Sequence, residues 1–511
     1  MFFLNRGINL VLLSNKQLAG FPFSGGVIDA PAQIFEMPQS NRFDDFIYVA
    51  GCMPPGERVL TPDGYKNVED VDYDDFLVNN EGDNVRIRKR LVRNMVEEDL
   101  YSIKMYNGVR INRFTSDHPI FVSDHKTVGR RVREDLFKFD YIPVKDIKEG
   151  QWTRIPNMYA EERMDIPGFR DYMLSDDFWW FVGMWLGNGW IDKQCRVQMA
   201  ICFDYPEERD RYYKVIDNLF GIKPSERCRK GNWELNFKHV YLSEWLVNNF
   251  GKYCYGKYIP EFAKYLPFSM KVSLIHGYLD TDGSIHNDFR NYSGMDFVSV
   301  SMDLLEGIQD ILLSLGVVGG ISIMKKNRAE YIDGNKVKSQ RSCYHLRIGH
   351  NYTVYFRKLV ETLTPDYISK LSKVCMDTST RKSPSTGIFI SNDNKYIYVR
   401  ISSITKEKYT GPVYNFECDT NNYLLRNISV HNCDPYKQAK SDTPSLGAFY
   451  VFKRRVGIRD PYAYRIVASY VSRPSSIDQF CRTCEVLQKG YGAICLMENA
   501  DQMYEQYLNR K

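Results

Sequence analysis

The stretch NISVHNCDPYK, residues 427–437, places a histidine, an asparagine and a cysteine in a row after a short apolar run. A second stretch, FIYVAGCMPPGERVLTPDGY at residues 46–65, places a cysteine after the same kind of apolar run. If the residues from Cys52 through Asn432 were removed, the two ends would join as FIYVAGCDPYK. That joined sequence is typical of one unbroken strand and turn, so the two stretches predict an insertion within a host protein.

The composition limits the classes of protein that this chain can be. Its 511 residues are enough for about three domains. The 43% hydrophobic and 26% charged residues are typical of a globular protein, and no apolar run is long enough to cross a bilayer. Arg6 interrupts the apolar opening, which lacks the features of a secretion signal. We therefore expect no membrane partner, while the net charge of +5 permits nucleic-acid binding without requiring it.

The cysteines indicate the compartment. Twelve of them are scattered without paired spacing, which is typical of a reducing environment. We therefore expect a cytoplasmic location, in a bacterial or phage-infected cell. Cys481 and Cys484 form a CxxC pair, but the segment around them has helical apolar spacing and no second ligand pair. That pattern favours helix packing over zinc.

The residues at the two junctions are suited to an exchange of peptide bonds. The thiolate of Cys52 can attack the carbonyl carbon of Gly51 and turn the amide into a thioester. Cys433 can then take over that thioester with its own thiol. Asn432 can cut the chain before Cys433 by turning its side-chain amide onto its own carbonyl. His431, directly beside it, can move the protons.

A third stretch, NGVRINRFTSDHPIFV, adds to these two. Thr115 and His118 stand three residues apart before an apolar strand, where we expect them to donate hydrogen bonds to a strained amide. Taken separately, a cysteine after a strand is usually a small buried hydrophobe and a His-Asn pair is usually a turn. The combination of the three stretches favours the chemical interpretation.

Three segments resemble the four splicing blocks of inteins. CMPPGERVLTPDGYKNVEDV resembles the first block, RFTSDHPIFV the second, and GPVYNFECDTNNYLLRNISVHNC the last two. The resemblance implies an all-β Hint splicing domain that excises itself without a cofactor. The residue roles that it implies are Cys52 as first nucleophile, Thr115 and His118 as activators of the Gly51–Cys52 bond, His431 as assistant of Asn432, and Cys433 as accepting nucleophile.

One block departs from the pattern of the intein family. The penultimate splicing block of inteins often carries an aspartate and a histidine, where this sequence has Asn415 and Asn421. We therefore expect slower proton handling at the downstream junction.

From about Asp176 the short strands give way to helical patterns that occur twice. DDFWWFVGMWLGNGW and FSMKVSLIHGYLDTDGSIHND are apolar helices with a central glycine, Gly183 and Gly277, and each is followed by an alternating strand and a further helix. The repeat indicates an internal duplication. The central glycines predict that the two apolar helices pack very closely.

The repeated helices resemble the LAGLIDADG, or DOD-type, homing endonucleases that commonly sit inside inteins. The resemblance implies an α+β unit with a duplicated αββαββα order that binds double-stranded DNA. It also implies a pair of acids at the helix tips that holds Mg²⁺ or Mn²⁺. The second helix has the acid Asp282 at this position, but the first helix has Asn188 there. We therefore expect weakened or lost cleavage of DNA. Asp192 lies nearby but outside the motif. The basic run at residues 323–350 can follow a DNA backbone or form a solvated hairpin.

The segments outside the insertion form the host part. Joined, they give strand, strand, strand, helix and strand, with Asp434 ending the first strand and Glu498 the last, the acid placement of an RNase H-type two-metal nuclease. This order is similar to the nuclease domain of a phage terminase large subunit, which implies that the host fragment joins a packaging complex. An ATPase motif and a third acid are missing from it.

The predicted fold class is a multi-domain chain in which an all-β Hint domain is interrupted by the α+β unit and flanked by pieces of an α/β RNase H-like domain. We expect a monomeric insertion. One alternative stays open, a free-standing DNA-binding or endonuclease protein that does not splice. A second alternative, a hedgehog-like module that cleaves without ligating, is disfavoured because such modules lack the terminal triplet of His431, Asn432 and Cys433. The predicted boundaries are 1–51 for the upstream host segment, 52–165 and 385–432 for the Hint domain, 170–375 for the endonuclease, and 433–511 for the downstream host segment.

Overall fold

A computed structural model gives the fold of most of the region from Gly51 to Gly490. The residues that it describes are 51–124, 134–201, 206–229, 232–288, 292–324, 330–332, 335–337, 342–377, 387–431, 447–453, 465–472 and 477–490. Asn432, Cys433, Asp434 and Glu498, all named above, lie outside these residues.

The described elements are numbered in chain order. The strands are β1 (Arg58–Thr61), β2 (Gly64–Asn67), β3 (Phe76–Val78), β4 (Asn84–Met105), β5 (Ile111–Thr115), β6 (Pro119–Ser123), β7 (Asp140–Pro143), β8 (Trp152–Pro156), β9 (Gly189–Ile191), β10 (Arg196–Ile201), β11 (Ser225–Arg229), β12 (Asn232–Lys238), β13 (Gly283–Asp288), β14 (Tyr292–Ser299), β15 (Gly319–Ile323), β16 (Glu330–Ile332), β17 (Asn335–Val337), β18 (Tyr344–Gly349), β19 (Ile388–Ile390), β20 (Tyr396–Cys418), β21 (Asn422–Leu425), β22 (Ile428–His431), β23 (Gly447–Lys453) and β24 (Arg465–Ser472). The helices are α1 (Asp176–Asn188), α2 (Pro206–Phe220), α3 (Val240–Phe250), α4 (Tyr253–Gly256), α5 (Glu261–Lys264), α6 (Phe268–Asp282), α7 (Met302–Ser314), α8 (His350–Leu363) and α9 (Ile477–Gly490).

Twelve of the described strands form one antiparallel sheet that brings the two ends of the insertion together. Its main order is β2-β1-β21-β22-β6-β8-β20-β4-β3, with β5, β7 and β19 paired to β4, β6 and β20. The long strands β4 and β20 pair along almost their whole length, and three register shifts let the ribbon bend. Because β1 and β5 come from before the α+β unit and β20 to β22 from after it, the sheet is completed only by segments that are far apart in sequence.

Between β8 and β19 lies the duplicated unit, and it has the predicted element order. Its first half runs α1, β9, β10, α2, β11, β12, α3, and its second half runs α6, β13, β14, α7, β15, β18, α8, with the hairpin β16–β17 added. Each half has a four-stranded sheet, ordered β11-β12-β10-β9 and β13-β14-β18-β15. The basic run noted above supplies β16 to β18, and part of it lies outside the described residues.

Helices α1 and α6 cross at their glycines, as predicted. A Cβ atom on Gly183 would lie 2.1 Å from the carbonyl oxygen of Leu274, and one on Gly277 would lie 2.0 Å from that of Trp180. Any larger residue would force the helices apart. All nine residues from Phe178 to Leu186 are buried, which explains why α1 is apolar on every side.

The described part of the host segment consists of β23, β24 and α9. The two strands form an antiparallel hairpin, and Cys481 and Cys484 are both buried on the helix. These elements agree with the predicted strand, strand, helix order, while the RNase H-like arrangement of the whole host part stays a prediction. Among the described residues, no helix is long and apolar enough to cross a membrane.

Candidate splicing site and helix-tip site

Backbone pairing fixes the segment around Cys52 between β20 and β5. Met53 exchanges two hydrogen bonds with Tyr414 of β20, of 2.8 and 2.7 Å, and the amide of Thr115 donates to the carbonyl of Cys52 at 2.9 Å. Cys52 is fully buried. The peptide bond between Gly51 and Cys52 is therefore held in the interior of the sheet before any side chain acts on it.

Two side chains hold the two ends of this peptide bond. The amide N–H of Cys52 donates to Thr115 Oγ1 at 2.8 Å, and the side-chain Nδ2 of Asn415 donates to the carbonyl oxygen of Gly51 at 2.6 Å. The expected donation by Thr115 was wrong in direction, because a peptide nitrogen can only donate and the hydroxyl accepts from it. The donor to the carbonyl is Asn415, placed where a developing oxyanion would form.

Two further hydrogen bonds fix the orientation of Asn415. Its Oδ1 accepts from the amide of Phe416 at 2.7 Å and from the hydroxyl of Tyr423 at 2.6 Å. With two donors on the oxygen, the amide nitrogen must point at Gly51. The sequence placed Asn415 at the downstream junction, whereas the structure places it at the upstream one. The burial of Asn415 on β20 is a property of the folded sheet that the sequence around it did not indicate. Asn421, the other departure, has φ of 63° in the turn before β21, a conformation that asparagine tolerates well.

Gly51 and His118 lie in direct contact. Gly51 has φ of +88°, and a Cβ atom there would lie 2.7 Å from His118 Cα and 3.1 Å from His118 Nδ1. Only glycine fits, both for space and for backbone angle. Burial lowers the pKa of His118 to about 3, with a smaller opposing effect from the Gly51 backbone, so the imidazole is neutral at physiological pH. A neutral imidazole beside the peptide bond can accept or relay a proton.

Arg93 is a neighbour of the thiol that the sequence analysis missed. Burial raises the pKa of Cys52 to about 12, and the guanidinium of Arg93 opposes this rise. Arg93 is itself buried and is held by Glu98, whose two oxygens accept from Nη1 at 2.8 and 3.0 Å. A fixed cation beside the sulfur stabilises the thiolate, which is the attacking form.

Removing this cation should slow the upstream step. In the Asn432→Ala chain, Arg93→Met should lower the rate at which added thiol releases residues 1–51 by about tenfold at a given pH, as expected for a thiol pKa about one unit higher. Both rates should rise with pH, and the variant's profile should lie at higher pH. Arg88→Met is the matched control, since Arg88 of the same strand pairs with Asp419 at the surface. Superimposable profiles for Arg93→Met and the parent would exclude this role.

The hairpin β21–β22 carries His431 to the same region. His431 pairs with Asn422 across the hairpin, and β22 also pairs with β6 through Val430 and Ile120. The ring of Tyr141 packs edge-on against the ring of His431, with 4.8 Å between centroids. Repulsion from His431 also lowers the pKa of His118, after the larger effect of burial, so the two histidines lie within electrostatic reach. The last described residue before the downstream junction, His431, therefore lies near His118 of the upstream site.

In the duplicated unit, the ends of α1 and α6 form a second candidate site. Asn188 ends α1 and Asp282 ends α6, and a Cβ atom on Gly187 would lie 2.0 Å from Thr281 Oγ1 and 3.4 Å from Asp282 Cγ. The helix tips therefore meet, as the glycine pattern predicted. Burial raises the pKa of the Asp282 carboxyl, against the attraction of Lys257 and Lys370.

Those two lysines cap the two helix ends and were missed in the sequence. Lys257 Nζ donates to the carbonyls of Trp185, Leu186 and Gly189 at 2.7–2.9 Å. Lys370 Nζ donates to the carbonyls of Thr281 and Gly283 at 2.9 and 2.8 Å. Each half of the duplication thus places a cation under its own helix tip.

The donor set at these tips fits a divalent cation poorly. Asp282 is the carboxylate of the pair, and Asn188 offers only an amide oxygen. In the part of the chain that the structure describes, no group of three or more histidine, cysteine, aspartate or glutamate side chains is placed to hold a metal. Asp192 does not complete the site, because its carboxylate binds Arg196 Nε at 2.8 Å and the turn amides of Gln194 and Arg196.

The sheet, the Gly51–Cys52 bond that is hydrogen-bonded at both ends, and the adjacent histidines belong to a β domain that a duplicated α+β unit interrupts. The sequence pattern of the intein splicing domain matches residues 60–432, more than half of the chain. The chain belongs to the intein splicing domain family.

The curated relatives are distant and longer. An uncharacterized protein of Methanocaldococcus jannaschii is 22% identical over 431 residues, which is 75% of this chain and 50% of that protein. The ATP-dependent DNA helicase Hel308 of Thermococcus kodakarensis is 22% identical over 429 residues, 75% of this chain and 36% of the helicase. This chain spans half or less of the length of these two relatives.

Two solved structures that are similar to this chain are those of homing endonucleases. The homing endonuclease I-DmoI in complex with DNA and Mn matches 38% of this chain and 98% of its own, with 15% identity and a TM-score of 0.26. The homing endonuclease I-WcaI bound to its DNA recognition sequence matches 41% of this chain and 95% of its own, with 14% identity and a TM-score of 0.27.

Proposed function

We propose that residues 52–432 excise themselves and join Gly51 to Cys433. The observation that carries this proposal is the hold on the Gly51–Cys52 bond, in which Thr115 accepts from the nitrogen and Asn415 donates to the oxygen. In the first step the Cys52 thiolate attacks the Gly51 carbonyl carbon, the C–N bond breaks, and the freed Cys52 amine takes a proton through His118. Asn415 stabilises the oxyanion of that step.

The later steps use the residues at the downstream junction. The Cys433 thiol attacks the Gly51 thioester and releases Cys52 as a free thiol. The side-chain nitrogen of Asn432 then attacks its own carbonyl, forming a cyclic imide and releasing the Cys433 amine, with His431 moving the proton. That amine displaces the thioester sulfur, and an ordinary peptide bond joins Gly51 to Cys433.

Expression under reducing conditions tests this proposal. Intact-mass measurement should find one species that spans residues 52–432 and one that joins residues 1–51 to 433–511. A chain that stays at its full mass would contradict the proposal and favour a free-standing protein that does not splice.

We further propose that the duplicated unit is a double-stranded DNA endonuclease of the LAGLIDADG type with weakened cleavage. The duplicated αββαββα order, the glycine crossing of α1 and α6, and the meeting of their tips support this assignment. When bound, Mg²⁺ or Mn²⁺ would be held by Asp282 and Asn188 and would stabilise charge on a phosphodiester. A carboxylate paired with an amide supplies less charge than two carboxylates, which is the reason for the expected weakness.

Restoring the second carboxylate should strengthen metal binding. Asn188→Asp should bind Mn²⁺ at least tenfold more tightly than the unaltered chain in calorimetry, and should cut the uninterrupted host gene faster in magnesium buffer. Asp192→Asn is the control, because the Asp192 carboxylate accepts a hydrogen bond from the amide of Arg196 in the β9–β10 turn. Vigorous cutting by the unaltered chain, or equal Mn²⁺ affinity in both proteins, would contradict the proposed role of Asn188.

For the host segments we propose a fragment of a terminase-like nuclease that acts with a phage packaging complex. Asp434 and Glu498 would hold its metal after splicing, since the strand that ends at Asp434 is completed only in the joined sequence and can then align with the strand that ends at Glu498. We also propose that the excised piece is monomeric and that the chain acts in the cytoplasm.

A further inference from the structure

The duplicated unit contacts the splicing sheet through the acidic side of α7. Asp303, Glu306 and Asp310 are spaced by three and four residues, so they lie on one face of the helix. Arg58 Nη1 lies 2.7 Å from Asp303 Oδ1, and Arg110 Nε lies 2.9 and 2.8 Å from the two oxygens of Glu306. Opposite charges therefore face each other across this contact.

Arg426 lies at the centre of the contact and is buried, with 8% of its surface exposed. Its guanidinium donates to both oxygens of Asp310 at 3.2 and 3.0 Å and to Gln309 Oε1 at 3.0 Å. It also donates to the backbone carbonyl of Glu306 at 3.2 Å, and its Nε lies 3.3 Å from the Glu306 carboxylate. Helix α7 therefore supplies five oxygen atoms around one cation of the splicing sheet.

This arginine stands in the turn that leads to the downstream junction. Arg426 and Asn427 connect β21 to β22, and β22 ends at His431. The carbonyl of Asn427 accepts from Thr153 Oγ1 at 2.8 Å, and its side-chain amide pairs with that of Asn107 at 3.3 and 3.4 Å. The short hairpin is thus fixed at its turn, and the position of the turn sets the position of its other end.

The same helix also holds the partner of Asn427. Gln309 Nε2 donates to the backbone carbonyl of Asn107 at 2.9 Å. Both residues of the turn are therefore connected to α7, one directly and one through Asn107.

We propose that α7 of the duplicated unit is a structural part of the downstream splicing site, in which Arg426 is a positioning residue for His431. The inference rests on the proposed splicing function and goes beyond it, because it makes the inserted unit necessary for the downstream step. The upstream step depends on Thr115 and Asn415 on β5 and β20, and Arg426 contacts neither residue. Tyr423 of β21 connects the hairpin to Asn415, so we expect a smaller effect on this step.

Two assays separate the steps. In a Cys52→Ala chain, release of residues 433–511 reports Asn432 cyclisation alone. In an Asn432→Ala chain, release of residues 1–51 by added thiol reports the upstream thioester alone. Each assay is run on the full chain with the substitutions Arg426→Gln, Arg426→Lys, Glu306→Gln, Asp310→Asn and Arg58→Gln.

We expect Arg426→Gln, Glu306→Gln and Asp310→Asn to slow Asn432 cyclisation at least tenfold while thiol release stays within twofold of the parent. Arg426→Lys, which keeps the charge, should recover part of the lost rate. Arg58→Gln is the matched control, since it faces the same helix but lies at the exposed edge, and it should leave both rates unchanged.

Equal loss in both assays would mean that the contact only stabilises the fold, and would overturn the proposal. Unchanged cyclisation in Asp310→Asn and Glu306→Gln would overturn it as well, and these two variants leave the splicing sheet's own residues intact if Arg426→Gln does not fold. If the unaltered parents show neither release, the splicing proposal itself fails, which is a distinct outcome.

Discussion

Cys52→Ala should abolish the joined product altogether. Without the thiol, the Gly51 carbonyl has no internal nucleophile, and the peptide bond upstream of residue 52 should stay intact. Cleavage before Cys433 should continue slowly, because it needs only Asn432 and His431. Intact-mass measurement should therefore find residues 1–432 and 433–511 as separate species and no joined host product.

Cys228→Ala is the control for this experiment. Cys228 is an exposed thiol on β11 of the duplicated unit, so its loss should leave the joined product unchanged. A joined product in the Cys52→Ala chain would show that another nucleophile starts the reaction, and the assignment of Cys52 would be wrong.

Asn415→Leu should slow the upstream step by about a hundredfold, because removing one oxyanion donor typically costs 10²–10³ in rate. Leucine has a similar size but cannot donate to the Gly51 carbonyl, which lies 2.6 Å from the Asn415 nitrogen. The rate of thiol-induced release of residues 1–51 in an Asn432→Ala chain measures the effect.

Tyr423→Phe should have a smaller effect on the same rate. It removes one of the two donors that orient the Asn415 oxygen, at 2.6 Å, and leaves the donation to Gly51 in place. Its rate should therefore fall less than that of Asn415→Leu. Wild-type thiol release in Asn415→Leu would exclude Asn415 as the oxyanion donor.

The sequence predicted those parts of the fold that local patterns determine. Gly183 and Gly277 predicted the close helix crossing because a missing side chain in the middle of an apolar helix has few other uses. The duplication followed from the repeat, and the full order of strands and helices followed from the resemblance to the LAGLIDADG endonucleases. The tips of α1 and α6 met where the motif placed Asn188 and Asp282.

The contacts missed in the sequence are those that only the tertiary structure creates. Asn415 reaches Gly51 across 364 positions of sequence, and Arg426 reaches Asp310 across 116, so no local spacing could indicate either bond. Arg93 was missed because an arginine within a charged strand usually faces solvent. Lys257 and Lys370 were missed because their partners are backbone carbonyls, which every residue has and which no sequence pattern can therefore indicate.

Sequencing the peptide across the new junction tests the central claim most directly. Trypsin acts after Arg42 and Lys437, so ligation of Gly51 to Cys433 should give the peptide FDDFIYVAGCDPYK, which no part of the unspliced chain contains. The account predicts this peptide in digests of the chain expressed under reducing conditions, and its absence from digests of the Cys52→Ala chain. Finding only FDDFIYVAGCMPPGER, or free ends at Gly51 and Cys433 without the joined peptide, would contradict it.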